Sequence, residues 1–151
     1  MKAYLIDPMK CSITEVEYDD SNYRNICALI DADLFDVVRL SDSRDVIYVD
    51  DEGLFNPQGF FRVDGYPNPL AGKGLVLGTD SEGESIQPGM SLEDLENVIH
   101  FISHPTAVKM AETVDALAEK AKEAYGDSFV HIPIADILKD QEYSDPSDLD
   151  K

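Results

Sequence analysis

Alternating apolar and polar positions dominate the first half of the chain, the period expected of half-buried strands. Residues 3–6 and 12–18 are two such runs, joined by Asp7-Pro8-Met9-Lys10. Asp-Pro starts turns, so the pair predicts a hairpin over 3–18. Within 12–18, Thr14, Val16 and Tyr18 share one side, opposite Ile13, Glu15 and Glu17, which suits a sheet with one solvated face. Residues 35–40 and 46–49 are β-rich and flank a turn-like Ser-Asp-Ser-Arg-Asp, predicting a second hairpin over 35–49. Residues 60–63 form a short strand candidate, and 74–78, a compact aliphatic run bounded by glycines, predicts a buried strand.

Helical spacing appears in three places. Tyr23, Ile26, Cys27 and Ile30 predict a helix over 22–30, with N-cap chemistry in Asp19-Asp20-Ser21. Ser91 caps a helix whose core face is Leu92, Leu95, Val98, Ile99 and Ile102. Pro105 ends that helix and starts another over 105–125, stopped by Gly126. The apolar side of this last helix is narrow and alanine-rich: Ala107, Met110, Ala111, Val114, Leu117, Ala118 and Ala121. It predicts close packing against a partner element, in cis or in a homodimer. Residues 79–89 read as an exposed loop, 129–134 as one more strand, and 139–151 as an acidic, frayed tail. The expected fold is α+β: one domain over 1–138, with a small mixed or antiparallel sheet, one early helix and a helical pair over 91–125.

Charge changes this picture most. The 151 residues carry 31 acids against 12 bases, a formal net charge of −19. Acids outnumber bases throughout, by 14 to 6 over residues 1–64, 6 to 1 over 65–104 and 11 to 5 over 105–151. Direct nucleic-acid binding is disfavoured, because phosphate contacts need a basic face. Hydrophobic residues at 43% argue for a packed core despite the charge. No apolar run is long enough to span a membrane, and the N-terminus meets Asp7 too early for a secretory signal, so a cytoplasmic setting is expected. Cys11 and Cys27 form no CxxC or zinc pattern and are expected as reduced thiols, Cys27 as a small core hydrophobe.

Candidate chemistry is sparse. Residues 65–80, GYPNPLAGKGLVLGTD, hold four of the nine glycines and Lys73, the only Lys or Arg between Val63 and Val108. Gly72, Lys73 and Gly74 could cradle an anion, with Tyr66 stacking on a base. Yet a P-loop needs GxxxxGK[ST] between strand and helix, and here Gly74 replaces the hydroxyl and a strand follows. The acidic turns around Asp31, Asp33 and Asp36, at Asp50-Asp51-Glu52, and at Asp80 miss the EF-hand spacing. His100 and His104 are four apart, but HExxH is absent and Pro105 follows at once. No GxSxG elbow is present. No catalytic residue, metal site or cofactor is predicted.

Several segments together have a family look: KAYLIDP, LIDAD, FDVVRL, VIYVDDEGL and NPLAGKGLVLGTD. They resemble a family of small α/β domains of unknown function from phages and mobile elements, over roughly residues 2–80. The resemblance implies a small α/β domain of phage or mobile-element origin and supplies no catalytic residues. The helical second half lies outside it.

The leading expectation is a non-enzymatic interaction protein that docks on a basic face of a host protein, as a nucleic-acid mimic or an inhibitor of host defence. Its contact residues are the base-free set Asp80, Glu82, Glu84, Glu93, Asp94 and Glu96, with Asp50, Asp51 and Glu52 as a second patch. The alternative is a nucleotide-sequestering protein using Tyr66, Gly72, Lys73 and Gly74. A weak hydrolase or metal-dependent activity of the carboxylate turns comes third.

Overall fold

The computed structural model describes residues 1–40, 43–126, 131–146 and 149. The fold is a mixed α+β arrangement of two antiparallel sheets and four helices among the described residues. The first hairpin is β1 (Lys2–Asp7) with β2 (Ser12–Glu17), and helix α1 (Arg24–Ile30) follows. The second hairpin is β3 (Phe35–Arg39) with β4 (Asp45–Asp50). A one-turn 3-10 segment, Gly53–Phe55, leads to β5 (Phe60–Val63) and the short β6 (Leu70–Ala71). Then come β7 (Gly74–Thr79), β8 (Ser85–Ile86), α2 (Leu92–Val98), β9 (Ile99–Ile102), α3 (His104–Tyr125) and α4 (Ala135–Lys139).

The larger sheet runs β2-β1-β7-β4-β3, and the smaller runs β6-β5-β9. Strand β7 is the hub. It pairs with β1 through Tyr4↔Val76 to Ile6↔Gly74 and with β4 through Asp45↔Gly78 to Val49↔Gly74. Strand β8 also pairs at Gly78. Because β4 already holds that position, β8 lies on the other edge, continuing where β1 stops.

Side-chain alternation along the strands sorts the core into layers. Leu75 and Leu77 pack with Ala3, Tyr18, Ile26 and Ile30 under α1. Val76 points the other way and joins Tyr4, Ile6, Ile47, Phe61, Val63, Leu95 and Ile99 between the sheets. Phe60, neighbour of Phe61, faces outward again, against Ala107, Ala111, Ala135 and Leu138 of α3 and α4. The order is α1, large sheet, small sheet with α2, then α3 and α4. Each fully buried Leu or Phe contributes about 1.5–3 kcal/mol, so this stack carries most of the stability. Gly74 is required by the second interface. A Cβ there would sit 2.9 Å from Ile47 Cγ2 and 3.2 Å from Phe61 Cζ.

Four expectations need correction. Helix α1 starts at Arg24, not 22, because Asp19 Oδ1 accepts the Ser21 amide in a turn of its own and Tyr23 provides no side-chain cap. Beyond Val98 the expected helix becomes a strand, β9, because Ile99–Ile102 pair with β5 along its whole length. The 79–89 loop contains β8. Of the expected strand 129–134, residues 129 and 130 lie outside the described residues, and 131–134 form no strand but lead into α4.

Two features of the C-terminal part bear on earlier expectations. The first part of the predicted α3 stripe packs in cis, with Ala107 and Ala111 fully buried against Phe60, Ala135 and Leu138, whereas Leu117 is 60% exposed. The first residues of the acidic tail are docked on the body. Gln141 Nε2 donates to the Leu54 carbonyl at 2.7 Å, Asp145 Oδ1 accepts the His104 amide at 2.7 Å, and Tyr143 stands edge-on to Phe60.

Candidate functional site

The glycine-rich loop joins β6 to β7. Gly72 has φ +83° and open space around its missing Cβ, so its role there is to turn the chain. Lys73 Nζ reaches Asp31 Oδ2 at 2.6 Å. Asp31 is the left-handed C-cap of α1, with φ 56°. The hydrogen bond to Asp31 raises the Lys73 ammonium above its ordinary value of 10.5, against a smaller opposing effect of burial. The cation is therefore paired with a carboxylate in a part-exposed contact. It borders a cavity of about 280 Å³ that Asp7, Asp31 and Asp50 also line. Tyr66 does not line that cavity; it packs against the core between the sheets. The proposed grouping of Tyr66 with Gly72, Lys73 and Gly74 is thus not assembled: Gly74 is a packing position, and Lys73 already has an anion.

The acidic residues divide between the two ends of the large sheet. Asp50 ends β4 at the Gly74 end of β7 and Asp51 and Glu52 follow it, with Asp50 Oδ1 accepting the Glu52 amide. Asp80, Glu82 and Glu84 form the turn beyond Thr79. Five strand residues at about 3.3 Å each separate these ends by roughly 17 Å, so the two patches do not merge.

The turn after Thr79 is internally organised. Asp80 Oδ1 accepts both the Glu82 and the Glu84 amides at 2.9 Å, leaving Glu82 and Glu84 exposed. The chain then crosses to α2 through Gln87-Pro88-Gly89-Met90. Here Asp45, 2% exposed, accepts the Gly89 amide on Oδ1 and the Met90 amide on Oδ2, both at 2.8 Å. Ser91 Oγ caps α2 by accepting from the Asp94 amide at 3.1 Å. Glu93, Asp94 and Glu96 are exposed on that helix, while Leu95 is fully buried. Acids near a helix N-terminus are favoured by its dipole. The sequence pointed to these carboxylates through their spacing and lack of bases. It gave no sign of Asp45, which lies in the predicted turn and is the residue that fixes the connection between them.

The histidines have separate partners. His100 Nε2 is 3.0 Å from Asp64 Oδ1, and that hydrogen bond, helped by Arg62, lowers the Asp64 carboxyl below its ordinary value. His104 Nε2 donates to the Leu138 carbonyl at 2.7 Å. His131 Nε2 is 2.7 Å from Asp115 Oδ1, and the amides of Ile134 and Ala135 also donate to Asp115. Burial pushes the Asp115 carboxyl up, but these hydrogen bonds outweigh it and the net shift is downward. The pair borders a cavity of about 620 Å³ between α3 and α4, together with Glu119, Lys122 and Lys139. Among the described residues, no three His, Cys, Asp or Glu side chains converge as a metal-ligand set. No helix among them is long and apolar enough to cross a membrane.

A family profile described as "Domain of unknown function (DUF3846)" matches residues 1–99. The chain belongs to this family. The DUF3846 segment covers the whole larger sheet, β5, β6 and α2, with the Asp45-pinned loop and both acidic patches. A relative, the uncharacterized protein y4iR of Sinorhizobium fredii (strain NBRC 101917 / NGR234), is 33% identical over 101 residues, 66% of this chain. The match spans 61% of that relative's own length. No solved structure matches.

Proposed function

We propose that this DUF3846 protein is a non-enzymatic interaction protein of phage or mobile-element origin. It acts in the host cytoplasm by docking an acidic face on a basic face of a host protein, where nucleic acid or another polyanion normally lies. The observation that carries this reading is the double hydrogen bond from Gly89 and Met90 to the buried Asp45 carboxylate. It ties the entry of α2, and with it the helix's acidic first turns, to the large sheet. On that sheet the Asp80–Glu84 turn is held by its own hydrogen bonds and the β7–β8 pairing. Backbone held this way needs little ordering on binding, so less of the carboxylates' attraction to a cationic surface is spent on it. Asp50, Asp51 and Glu52 form a second, separate contact area at the far end of the sheet.

The test is capture from a host lysate at low salt, followed by binding of the purified partner to a neutralised variant. That variant carries Asp80→Asn, Glu82→Gln, Glu84→Gln, Glu93→Gln, Asp94→Asn and Glu96→Gln; the Asn at 80 can still accept the turn amides. The reading expects affinity to fall steeply between low and physiological salt, where the Debye length shrinks to about 8 Å. It also expects at least a tenfold loss, about 1.4 kcal/mol, in the neutralised variant. A salt-independent complex that tolerates all six substitutions would overturn it.

A further inference from the structure

The face of the large sheet that carries α1 is only partly covered. Beyond the helix, β3, β4 and β7 leave an open shelf over a cavity of about 400 Å³ lined by Val37, Arg39, Arg44, Val46, Tyr48 and Thr79, with the turn residues at its rim. Register explains why these side chains meet. Val37 faces Tyr48 and Arg39 faces Val46 across the β3–β4 ladder, and Val46 faces Leu77 of β7. Arg44 lies in the bend just before β4 and lines the same cavity as Arg39.

Two arginines thus border one cavity on a protein of net charge −19. Both are exposed, and neither has an ion pair or side-chain hydrogen bond among the described residues. This contrasts with Lys73 and Arg62, which each hold an aspartate. The one carboxylate among the lining residues, Asp80, already accepts two turn amides on Oδ1. Beside the arginines lies an apolar floor. Val46 is 4% exposed and closes the bottom, while Val37 is 45% exposed beside it.

We propose that this shelf is an anion site for a phosphomonoester, with Arg39 and Arg44 gripping the phosphoryl oxygens and Val37, Val46 and Tyr48 receiving the organic body. A phosphoryl group offers three acceptor oxygens and nearly two charges, enough to engage both planar forks, whereas one carboxylate fills only one fork well. This places anion recognition away from the glycine-rich loop, whose lysine is occupied. The site meets the proposed acidic docking face only at the Asp80 turn, which borders the shelf.

The test is an amide NMR titration of the full chain with phenyl phosphate, inorganic phosphate and benzoate at low salt. Phenyl phosphate is expected to give saturable shifts confined to Val37–Arg39, Arg44–Tyr48 and Thr79–Gly83. Arg39→Gln and Arg44→Gln, both exposed positions, are each expected to weaken it about tenfold or more, and Lys73→Ala to leave it unchanged. Binding should strengthen as pH rises through about 6, where the phosphomonoester becomes a dianion; benzoate should bind more weakly and show no such step. Absence of saturable shifts at tens of millimolar, or equal binding by the Arg39→Gln/Arg44→Gln double variant, would overturn the site. Equal affinity for inorganic phosphate and phenyl phosphate would overturn the part given to the apolar floor.

Discussion

Asp45 accepts the Met90 amide across 45 residues of sequence, from a carboxylate that is 2% exposed. Its other oxygen takes the amide of Gly89. One side chain at the start of β4 thus fixes where the chain must be before α2 begins. A buried carboxylate is tolerated here because backbone donors replace its lost water.

Asp45→Ala removes both acceptors and leaves two amides without partners. The expected loss is about 2–4 kcal/mol, read by urea unfolding. Asp45→Asn keeps one good acceptor but turns an NH₂ group toward the other amide, so it is expected to fall between parent and Ala. If Asp45→Ala unfolded at the parent's urea midpoint, Asp45 would not be the tie described here.

Gly74→Ala would put a methyl group against Ile47 and Phe61 where the two sheets meet. Overpacking of this kind costs about 1–3 kcal/mol. Phe61→Leu frees part of that space, so the two changes should couple by at least about 0.5 kcal/mol in a double-mutant cycle. Gly72→Ala meets no neighbour and is expected to lose only about 1 kcal/mol, from its positive φ. A larger loss at 72 than at 74 would contradict the packing described.

The Lys73–Asp31 pair is part-exposed, with 32% of the lysine and 69% of the aspartate side chain accessible. Lys73→Ala is therefore expected to cost less than about 1 kcal/mol. Because the folded ammonium is raised, its contribution is present at neutral pH and disappears as pH climbs past 10.5 toward the folded value. Thermal melts of parent and variant should converge on the alkaline side. Nucleotides should not shift the melting temperature of the parent through Lys73.

Asp115 holds the N-terminus of α4 and His131 to α3. Its carboxyl lies below the ordinary 3.8, so the stability it gives is present above that value and is lost as pH falls through the lower, folded one. Asp115→Asn should unfold α4 more readily near neutral pH, by about 1–2 kcal/mol, and narrow the gap to the parent under acid. Hydrogen exchange of Leu138 and Lys139 amides reads this directly. Unchanged protection in the variant would show that α4 is held by Leu138 packing alone.

Local pattern made the two hairpins, the β7 strand and the Ser91 cap legible, because alternation and capping depend on neighbours in sequence. Strand β9 was not legible. Val98, Ile99 and Ile102 fit a helical face by spacing, and only pairing of Phe101 with Phe61 and Ile99 with Val63, from 36 or more residues away, makes them extended. Distance in sequence also hid the partners of Lys73, 42 residues from Asp31, and of Gln141, 87 from Leu54. The acidic candidates were visible as residues, but composition carries no direction, and the division of Asp50–Glu52 from Asp80–Glu84 is set by strand register. The arginine shelf was not legible because Arg39, Arg44 and the turn after Thr79 come to line one cavity only when β3, β4 and β7 pair.

Ile99 is at once the C-cap of α2, its amide donating to Leu95, and the first residue of β9. The similarity that defines the family stops at this residue. The homologous unit therefore ends in the middle of a continuous seam, with no hinge at which to cut. A fragment trimmed to that border would strip β5 of its outer strand and lay Phe60 bare to water. Any recombinant study of the shared half should carry the chain on through α4, or expect a sticky, ill-behaved product.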